Sequence, residues 1–118
     1  VTSSTYIHAP IVKNQHATEV GEKGWYDLDI VRQHWPENPR CVIVDGPPGS
    51  IGRTGVLSML DKLVSVPLIL VDDVDRAEEM RVCTVLSERL NFDQTIHLVN
   101  KPRKNGSQRR FAVLSRGG

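Results

Sequence analysis

Two short apolar runs, each followed by acidic residues, constrain the fold of this chain more than any other feature. Cys41–Val44 (CVIV) precedes Asp45, and Val66–Val71 (VPLILV) precedes Asp72 and Asp73. Continuous apolar runs of this length, rich in valine and isoleucine, are typical of strands buried on both faces of a sheet. The segment between them has helical periodicity, so the two runs predict a strand–helix–strand crossover in a parallel sheet.

The crossover brings the three acids together. Since parallel strands joined in this way end at the same edge of the sheet, Asp45, Asp72 and Asp73 are expected to converge where open α/β sheets bind ligands. Three carboxylates at one edge favour a hard divalent cation, so we predict a metal or polar-ligand site there. In the alternative, these aspartates only cap helices or bind loop amides, as aspartate often does.

The remaining elements follow from capping and turn signals in the sequence. We predict strands at Thr5–His8, Thr95–Asn100 and Arg110–Ser115, and helices over Leu28–Trp35 (capped by Asp27), from Thr54 to about Val64, and from a cap at Asp75 to about Leu90. Asn105-Gly106 is a hairpin signal between the last two strands. The expected fold is one α/β domain over residues 1–118, with 1–40 as an N-terminal segment before the core at 41–118.

Composition and charge narrow the classes of partner. A formal net charge of +1 and an aromatic content of 5% provide neither an overall attraction to nucleic acid nor a base-stacking surface. No apolar run is long enough to cross a bilayer and no signal peptide is visible, so we expect a cytoplasmic protein with no membrane partner. Cys41 and Cys83 lack metal-ligand spacing and are predicted to be reduced core residues.

The turn after the first strand, Asp45–Gly55 (DGPPGSIGRTG), partly matches two phosphate-binding loops and fails both on spacing. A P-loop requires glycine where Pro47 stands and lysine where Arg53 stands. A tyrosine phosphatase requires its nucleophilic cysteine at the position that is Pro47 here, and Cys41 lies too far from Arg53 to replace it. The P-loop interpretation is therefore rejected on spacing and on its missing lysine, and the phosphatase interpretation is rejected because covalent phosphoryl transfer needs a thiolate.

The complete pattern resembles the class I S-adenosylmethionine-dependent methyltransferases, and the small O-methyltransferases among them. The matching residues are a strand followed by Asp45-Gly46-Pro47, a helix, and a strand that ends in Asp72-Asp73 with Arg76 downstream. The resemblance implies a Rossmann-like, mostly parallel sheet that ends in an antiparallel hairpin, with one of the last two strands reversed.

The same resemblance implies roles for individual residues. Asp45, Gly46 and Pro47 would contact S-adenosylmethionine, and Mg²⁺ would be held by the three acids Asp45, Asp72 and Asp73. Arg53 and Arg76 are candidates for contact with an anion or substrate, or alternatively for ion pairs with nearby carboxylates. His8 is a candidate general base, and the substrate is not indicated.

The resemblance covers only the C-terminal portion of the methyltransferase fold. A glycine-rich turn that cradles the cofactor should precede Cys41, and no Gly-x-Gly occurs in the chain. We therefore expect no methyltransferase activity from this chain alone, although a partner could complete it. The neighbour that normally covers the edge of the Cys41–Val44 strand would also be missing, which predicts a homodimer or larger oligomer at that edge.

Two further functions remain open at this point. The first is a non-catalytic interaction module that assembles with itself through the exposed edge. The second is anion or nucleic-acid binding by a basic C-terminal hairpin. Its cationic residues are Lys101, Arg103, Lys104, Arg109, Arg110 and Arg116. The balanced net charge and the scarcity of aromatic side chains argue against nucleic acid.

Overall fold

A computed structural model describes residues 9–13, 24–47 and 53–116. The elements in chain order are strands β1 (Ile11–Lys13) and β2 (Gly24–Tyr26), helix α1 (Leu28–Gln33), strand β3 (Val42–Val44), a 3₁₀ helix (Thr54–Met59) continuing into α2 (Leu60–Leu63), strand β4 (Leu68–Val71), helix α3 (Ala77–Leu90), and strands β5 (Asp93–Leu98) and β6 (Arg110–Ser115). Within the described ranges, no helix has the length and apolar character needed to span a membrane.

The main sheet contains four strands in the order β3-β4-β6-β5. β3 and β4 are parallel, with Val42 opposite Ile69 and Val44 opposite Val71. β6 pairs antiparallel with β4 on one side and with β5 on the other, so β3, β4 and β5 share one direction and β6 runs against them. The chain is therefore mixed α/β, as predicted.

The sheet is mixed rather than mostly parallel, which corrects the sequence-based expectation. The predicted parallel pair and the predicted C-terminal hairpin are both present. However, β6 lies between β4 and β5, so the hairpin contributes two antiparallel pairings against a single parallel one. The sequence signals for each strand were sufficient to find it, but the position of β6 in the sheet depends on contacts between distant segments.

The helix ends show which capping predictions hold. Asp27 caps α1 through a hydrogen bond from the Asp29 N–H, 3.0 Å long, and the helix ends two residues before the predicted Trp35. Asn91 closes α3 in the left-handed conformation, with φ at 56°. The prediction that Asp75 caps α3 is wrong: Arg76 holds that position without a side-chain cap.

The core lies between the main sheet and the helices that cover it. Its fully buried side chains come from α2, α3, β4 and β6 and include Leu63, Ile69, Val82, Leu86 and Leu114. The predicted Thr54–Val64 helix begins as a 3₁₀ helix over Thr54–Met59, and Gly55 in its first turn lies against the Trp25 ring. A Cβ atom on Gly55 would lie 2.1 Å from Cγ of Trp25, so only glycine permits this contact.

The structure also bears on the predicted first strand, on the start of β5 and on the two cysteines. The predicted Thr5–His8 strand lies outside the described residues, which instead show a separate antiparallel pair, β1 with β2. β5 begins two residues before the predicted Thr95. Cys83 is buried as predicted, but Cys41 is exposed, because it precedes β3 at the edge of the sheet and has no strand on that side in the described ranges.

Candidate functional site

Three aspartates meet at the carboxyl edge of the sheet and form what we call the acidic rim: Asp45, Asp72 and Asp73. Asp45 follows β3, and the other two follow β4. Because β3 and β4 are parallel, their ends lie at the same edge. One carboxylate oxygen from each residue lies within 4.8 Å of the other two. The convergence expected from the sequence is therefore present, although the three acids differ in their surroundings.

Asp73 is the buried member of the rim, and arginines surround it. Its Oδ2 lies 2.9 Å from Nη2 of Arg53, and its Oδ1 accepts a hydrogen bond from Nη2 of Arg103. Nη1 of Arg76 lies 3.7 Å from Oδ2. Burial opposes ionisation of Asp73, but the hydrogen bonds from Arg103 and Arg53 outweigh it and hold the pKa of Asp73 below its ordinary value. Asp73 is thus ionised and already compensated by cations.

Arg53 connects the two loops that carry the acidic rim through hydrogen bonds and an ion pair. Its side chain is only 4% exposed. Nε donates to the Pro47 carbonyl at 3.1 Å, Nη1 donates to the Asp72 carbonyl at 3.0 Å, and Nη2 pairs with Asp73. Since acceptors from the protein occupy all three nitrogens, this geometry matches the ion-pair alternative for Arg53 rather than contact with an external anion.

Asp45 and Asp72 form the accessible part of the rim. Asp45 is exposed, and a hydrogen bond to the Asp72 carboxyl, followed by burial and the charge of Asp72, raises the pKa of Asp45. Asp72 accepts the Asp73 N–H at 2.8 Å through Oδ1, while its Oδ2 lies 3.5 Å from Nη2 of Arg109. The Asp72 carboxyl therefore disfavours ionisation of Asp45, and a bound cation would relieve that repulsion.

The other predicted site residues have structural contacts or lie beyond the described ranges. Gly46 packs against Tyr26, whose hydroxyl oxygen would lie 2.7 Å from a Cβ atom at that position. Pro47 is buried and its carbonyl accepts from Arg53. Arg76 is half-buried beside Asp73. His8 lies outside the described residues.

Two arginines of the C-terminal hairpin reach the rim, although the sequence did not indicate that they would. Arg103 binds Asp73 and also Asp75, with Nε 2.9 Å from Asp75 Oδ2. Arg109 approaches Asp72. The signal that could have identified them is the run of cations after Asp93 without an accompanying acid, which is balanced by the run of aspartates that follows β4.

Part of the basic hairpin is therefore engaged inside the protein. Besides Arg103 and Arg109, Arg116 donates to the carbonyls of Val66 and Leu90 and stacks over the Phe92 ring at 4.2 Å. Lys101, Lys104 and Arg110 remain exposed. The cationic surface available to an external anion is thus smaller than the sequence indicates.

An apolar cavity, which we call the edge cavity, lies along β3 and ends beside the rim. Its volume is about 200 Å³, and its walls include Trp25, Trp35, Ile43 and Met59, with Asp45 at one end. Trp25 is buried, yet its Nε1 finds no hydrogen-bond acceptor in the described part of the chain. Asp45 is therefore shared between the edge cavity and the rim.

Comparisons with protein-family models, with curated proteins and with solved structures yield no match to this chain.

Proposed function

We propose that this chain is the acid-bearing half of a methyltransferase-like domain, and that its acidic rim binds a divalent cation or a small polar ligand. The observation that carries the proposal is the convergence of carboxylate oxygens from Asp45, Asp72 and Asp73 within 4.8 Å of one another, where a hydrogen bond to the Asp72 carboxyl raises the pKa of Asp45. A divalent cation would relieve the repulsion between these carboxylates.

The directions of the strands support the methyltransferase-like part of the proposal. The resemblance implies a sheet in which one of the last two strands is reversed against otherwise parallel neighbours. In the main sheet β6 is that reversed strand, and β3, β4 and β5 share one direction. The acids follow the two strands, β3 and β4, at which the resemblance expects them.

The donor atoms of the rim fit a hard cation. Asp45 and Asp72 offer carboxylate oxygens at an accessible edge, and oxygen donors of this kind are preferred by Mg²⁺ and Ca²⁺. Asp73 adds negative charge, but Arg53 and Arg103 hold it in place, so its main role is to position the loop after β4. A cation bound here would lower the pKa of a substrate hydroxyl and orient it.

These 118 residues do not provide a binding site for S-adenosylmethionine. Gly-x-Gly is missing from the sequence, and Gly46 and Pro47 are occupied by packing against Tyr26 and by a hydrogen bond from Arg53. Methyl transfer would therefore need a glycine-rich turn for S-adenosylmethionine from outside these 118 residues.

Calorimetric titration with Mg²⁺ and with Mn²⁺ tests the cation site. Wild-type protein should bind saturably, and Asp45→Asn should weaken binding by about tenfold or more, since one charged ligand is lost. Asp93→Asn is the matched control, because Asp93 is an exposed aspartate at the start of β5 and outside the rim. Equal affinity in Asp45→Asn, or no binding by the folded wild type, would contradict the proposal.

Repeating the titration with S-adenosylmethionine separates the cation site from the cofactor. We expect no binding of S-adenosylmethionine to the monomeric chain, because the glycine-rich turn is missing. Saturable binding by an oligomer, abolished by Asp45→Asn, would instead mean that association rebuilds the cofactor site.

A second candidate function is self-assembly through the free edge of β3. The Val44 carbonyl accepts from the Asp72 N–H at 3.0 Å, and successive peptide groups of a strand point to opposite sides. The peptide groups of Ile43 therefore face the outer edge, where no strand pairs with β3 in the described ranges. The Ile43 side chain is 66% exposed. Open apolar edges of this kind pair with other strands.

Light scattering tests this second candidate. The wild type should be a homodimer or larger, and Ile43→Lys should dissociate it, since lysine on an edge strand opposes pairing. Leu98→Lys is the matched control: Leu98 is 62% exposed on β5, at the opposite edge of the sheet. A monomeric wild type would remove this candidate.

A further inference from the structure

An open polar cavity, which we call the arginine cavity, lies between the start of α3 and the loop that joins β5 to β6. Its volume is about 480 Å³. Three arginines line it, Arg76, Arg103 and Arg110, together with a single acid, Asp75. Amide and hydroxyl groups from the loop complete the wall. With three cations against one anion, the walls carry two positive charges in excess.

The one acid of the cavity is already fully paired. Oδ2 of Asp75 accepts from Nε of Arg103 at 2.9 Å, and Oδ1 accepts from the Arg110 backbone N–H at 3.3 Å. The hydrogen bond from Arg103 also keeps the pKa of Asp75 below its ordinary value, so Asp75 stays ionised and compensates Arg103. The Arg110 guanidinium is the cation left in excess, while Arg76 shares the charge of Asp73 with Arg53 and Arg103.

Arg76 has a hydrogen-bonding group that the protein does not satisfy. Its Nη1 is buried and has no hydrogen-bond partner among the described residues. The neighbouring acid is Asp73, but its Oδ2 lies 3.7 Å away, beyond hydrogen-bond range, and already pairs with Arg53 at 2.9 Å. The Arg76 side chain as a whole is 38% exposed and lines the cavity, so a ligand oxygen would meet the accessible part of its guanidinium group.

Arg110 also lines the arginine cavity, and no described acid forms an ion pair with its guanidinium group. Its backbone is held by the hydrogen bond to Asp75, while its side chain is exposed and has no ion pair in the described part of the chain. The first turn of α3 carries two acids: Glu78 pairs with Arg81 at 3.0 Å, and Glu79 is buried, so that burial raises its pKa while the charges of Arg53 and Arg76 oppose that rise. The helix start itself has no side-chain cap, and its N–H groups add to the positive potential.

We propose that the arginine cavity binds a small anionic ligand that carries a phosphoryl or sulfuryl group. Planar guanidinium groups bind such tetrahedral oxyanions through paired hydrogen bonds, and Arg76 and Arg110 would supply them. A cavity of about 480 Å³ is within the range of small-molecule sites, so the ligand can extend beyond its oxyanion. This site is separate from the acidic rim and does not depend on the function proposed for it.

Calorimetric titration of the full chain with inorganic phosphate and with pyrophosphate tests the site. The wild type should bind saturably, and Arg76→Gln and Arg110→Gln should each weaken binding by about tenfold, since each removes a charged donor. Lys104→Gln loses the same charge from an exposed residue of the same loop outside the cavity, and its affinity should change by less than about twofold. Circular dichroism verifies that each variant is folded.

Three results would overturn the proposal. The first is the absence of saturation by the folded wild type at about 10 mM of either anion. The second is equal weakening in all three variants, which would mean a diffuse charge effect. The third is tight, steeply salt-dependent binding of a single-stranded oligonucleotide without saturable phosphate binding, which would assign this surface to nucleic acid.

Discussion

Nη2 of Arg53 lies 2.9 Å from Oδ2 of Asp73, in a pair whose side chains are only 4% and 8% exposed. The pair ties the loop after β3 to the loop after β4 and so determines the shape of the acidic rim. Nη2 of Arg32 and Oδ1 of Asp61 are separated by the same 2.9 Å, but those side chains are 40% and 55% exposed. The chain thus contains a buried and an exposed ion pair of equal length.

Asp73→Asn should therefore destabilise the protein far more than Asp61→Asn. Removing one partner of a buried pair costs about 3–5 kcal/mol because the other charge stays buried and unpaired, whereas an exposed pair contributes about 1 kcal/mol or less. Asparagine tolerates the left-handed backbone of Asp73, where φ is 61°, so the variant isolates the charge. Urea unfolding measures both values, and similar losses in the two variants would contradict the assigned role of Arg53.

Acid should destabilise the protein through Asp73 and Asp75. Both have a pKa below the ordinary value in the folded state, Asp73 because the arginine hydrogen bonds outweigh burial and Asp75 mainly through Arg103. Such groups contribute stability that is present above the unfolded pKa of about 3.9 and is lost as pH falls through the folded pKa. The melting temperature should thus drop below about pH 4.

The variant that tests this pH dependence is Asp75→Asn, with Asp93→Asn as its control. Asp75→Asn should lower stability at neutral pH and make the melting temperature less sensitive to acid, since one depressed pKa is removed. Asp93→Asn should retain the wild-type profile. Parallel acid profiles for wild type and Asp75→Asn would show that this pairing does not govern acid stability.

Gly55→Ala should disturb the Trp25 ring and the edge cavity. The new Cβ atom would lie 2.1 Å from Cγ of Trp25, so the ring must move, and overpacking of this kind costs about 1–3 kcal/mol. Gly106→Ala is the comparison, because Gly106 has φ of +86° and open space around it, so only backbone strain of about 1 kcal/mol is expected. Tryptophan fluorescence should change in Gly55→Ala alone, and an unchanged spectrum there would contradict the close contact.

The two cysteines should differ in reactivity towards an aromatic disulfide reagent. Cys41 is exposed, while burial raises the pKa of the Cys83 thiol to about 12. One thiol should therefore react in the native protein and the second only after denaturation, because the thiolate is the reactive form. Cys41→Ser should remove the native reaction completely. Rapid reaction of a thiol in folded Cys41→Ser would mean that Cys83 is accessible.

The sequence was sufficient to predict features that depend on neighbouring residues. The acids follow two strands whose apolar runs are plain in the sequence, and the crossover rule then brings Asp45 and Asp72 to one edge. The cap at Asp27, the end of α3 at Asn91 and strand β6 follow local signals in the same way.

Contacts between segments far apart in the sequence could not be predicted from these local signals. Arg103 lies 30 residues after Asp73 and 28 after Asp75, and the pairing of β6 with β4 is what brings its loop to them. Asp75 was therefore expected to cap α3, although its carboxylate is bound to Arg103. The exposure of Cys41 likewise depends on which strand lies beside β3, and no local pattern reveals that.

The most direct test of the account is to count the protons released when Mn²⁺ binds. Calorimetric titrations in buffers of different ionisation enthalpy, from about pH 4 to about pH 7, give that number. Because the pKa of Asp45 is raised, Mn²⁺ binding should release protons at acidic pH and progressively fewer towards neutral pH, and Asp45→Asn should release fewer than the wild type over the same range. Binding without proton release over the whole range, or no binding at all, would contradict the proposed cation site.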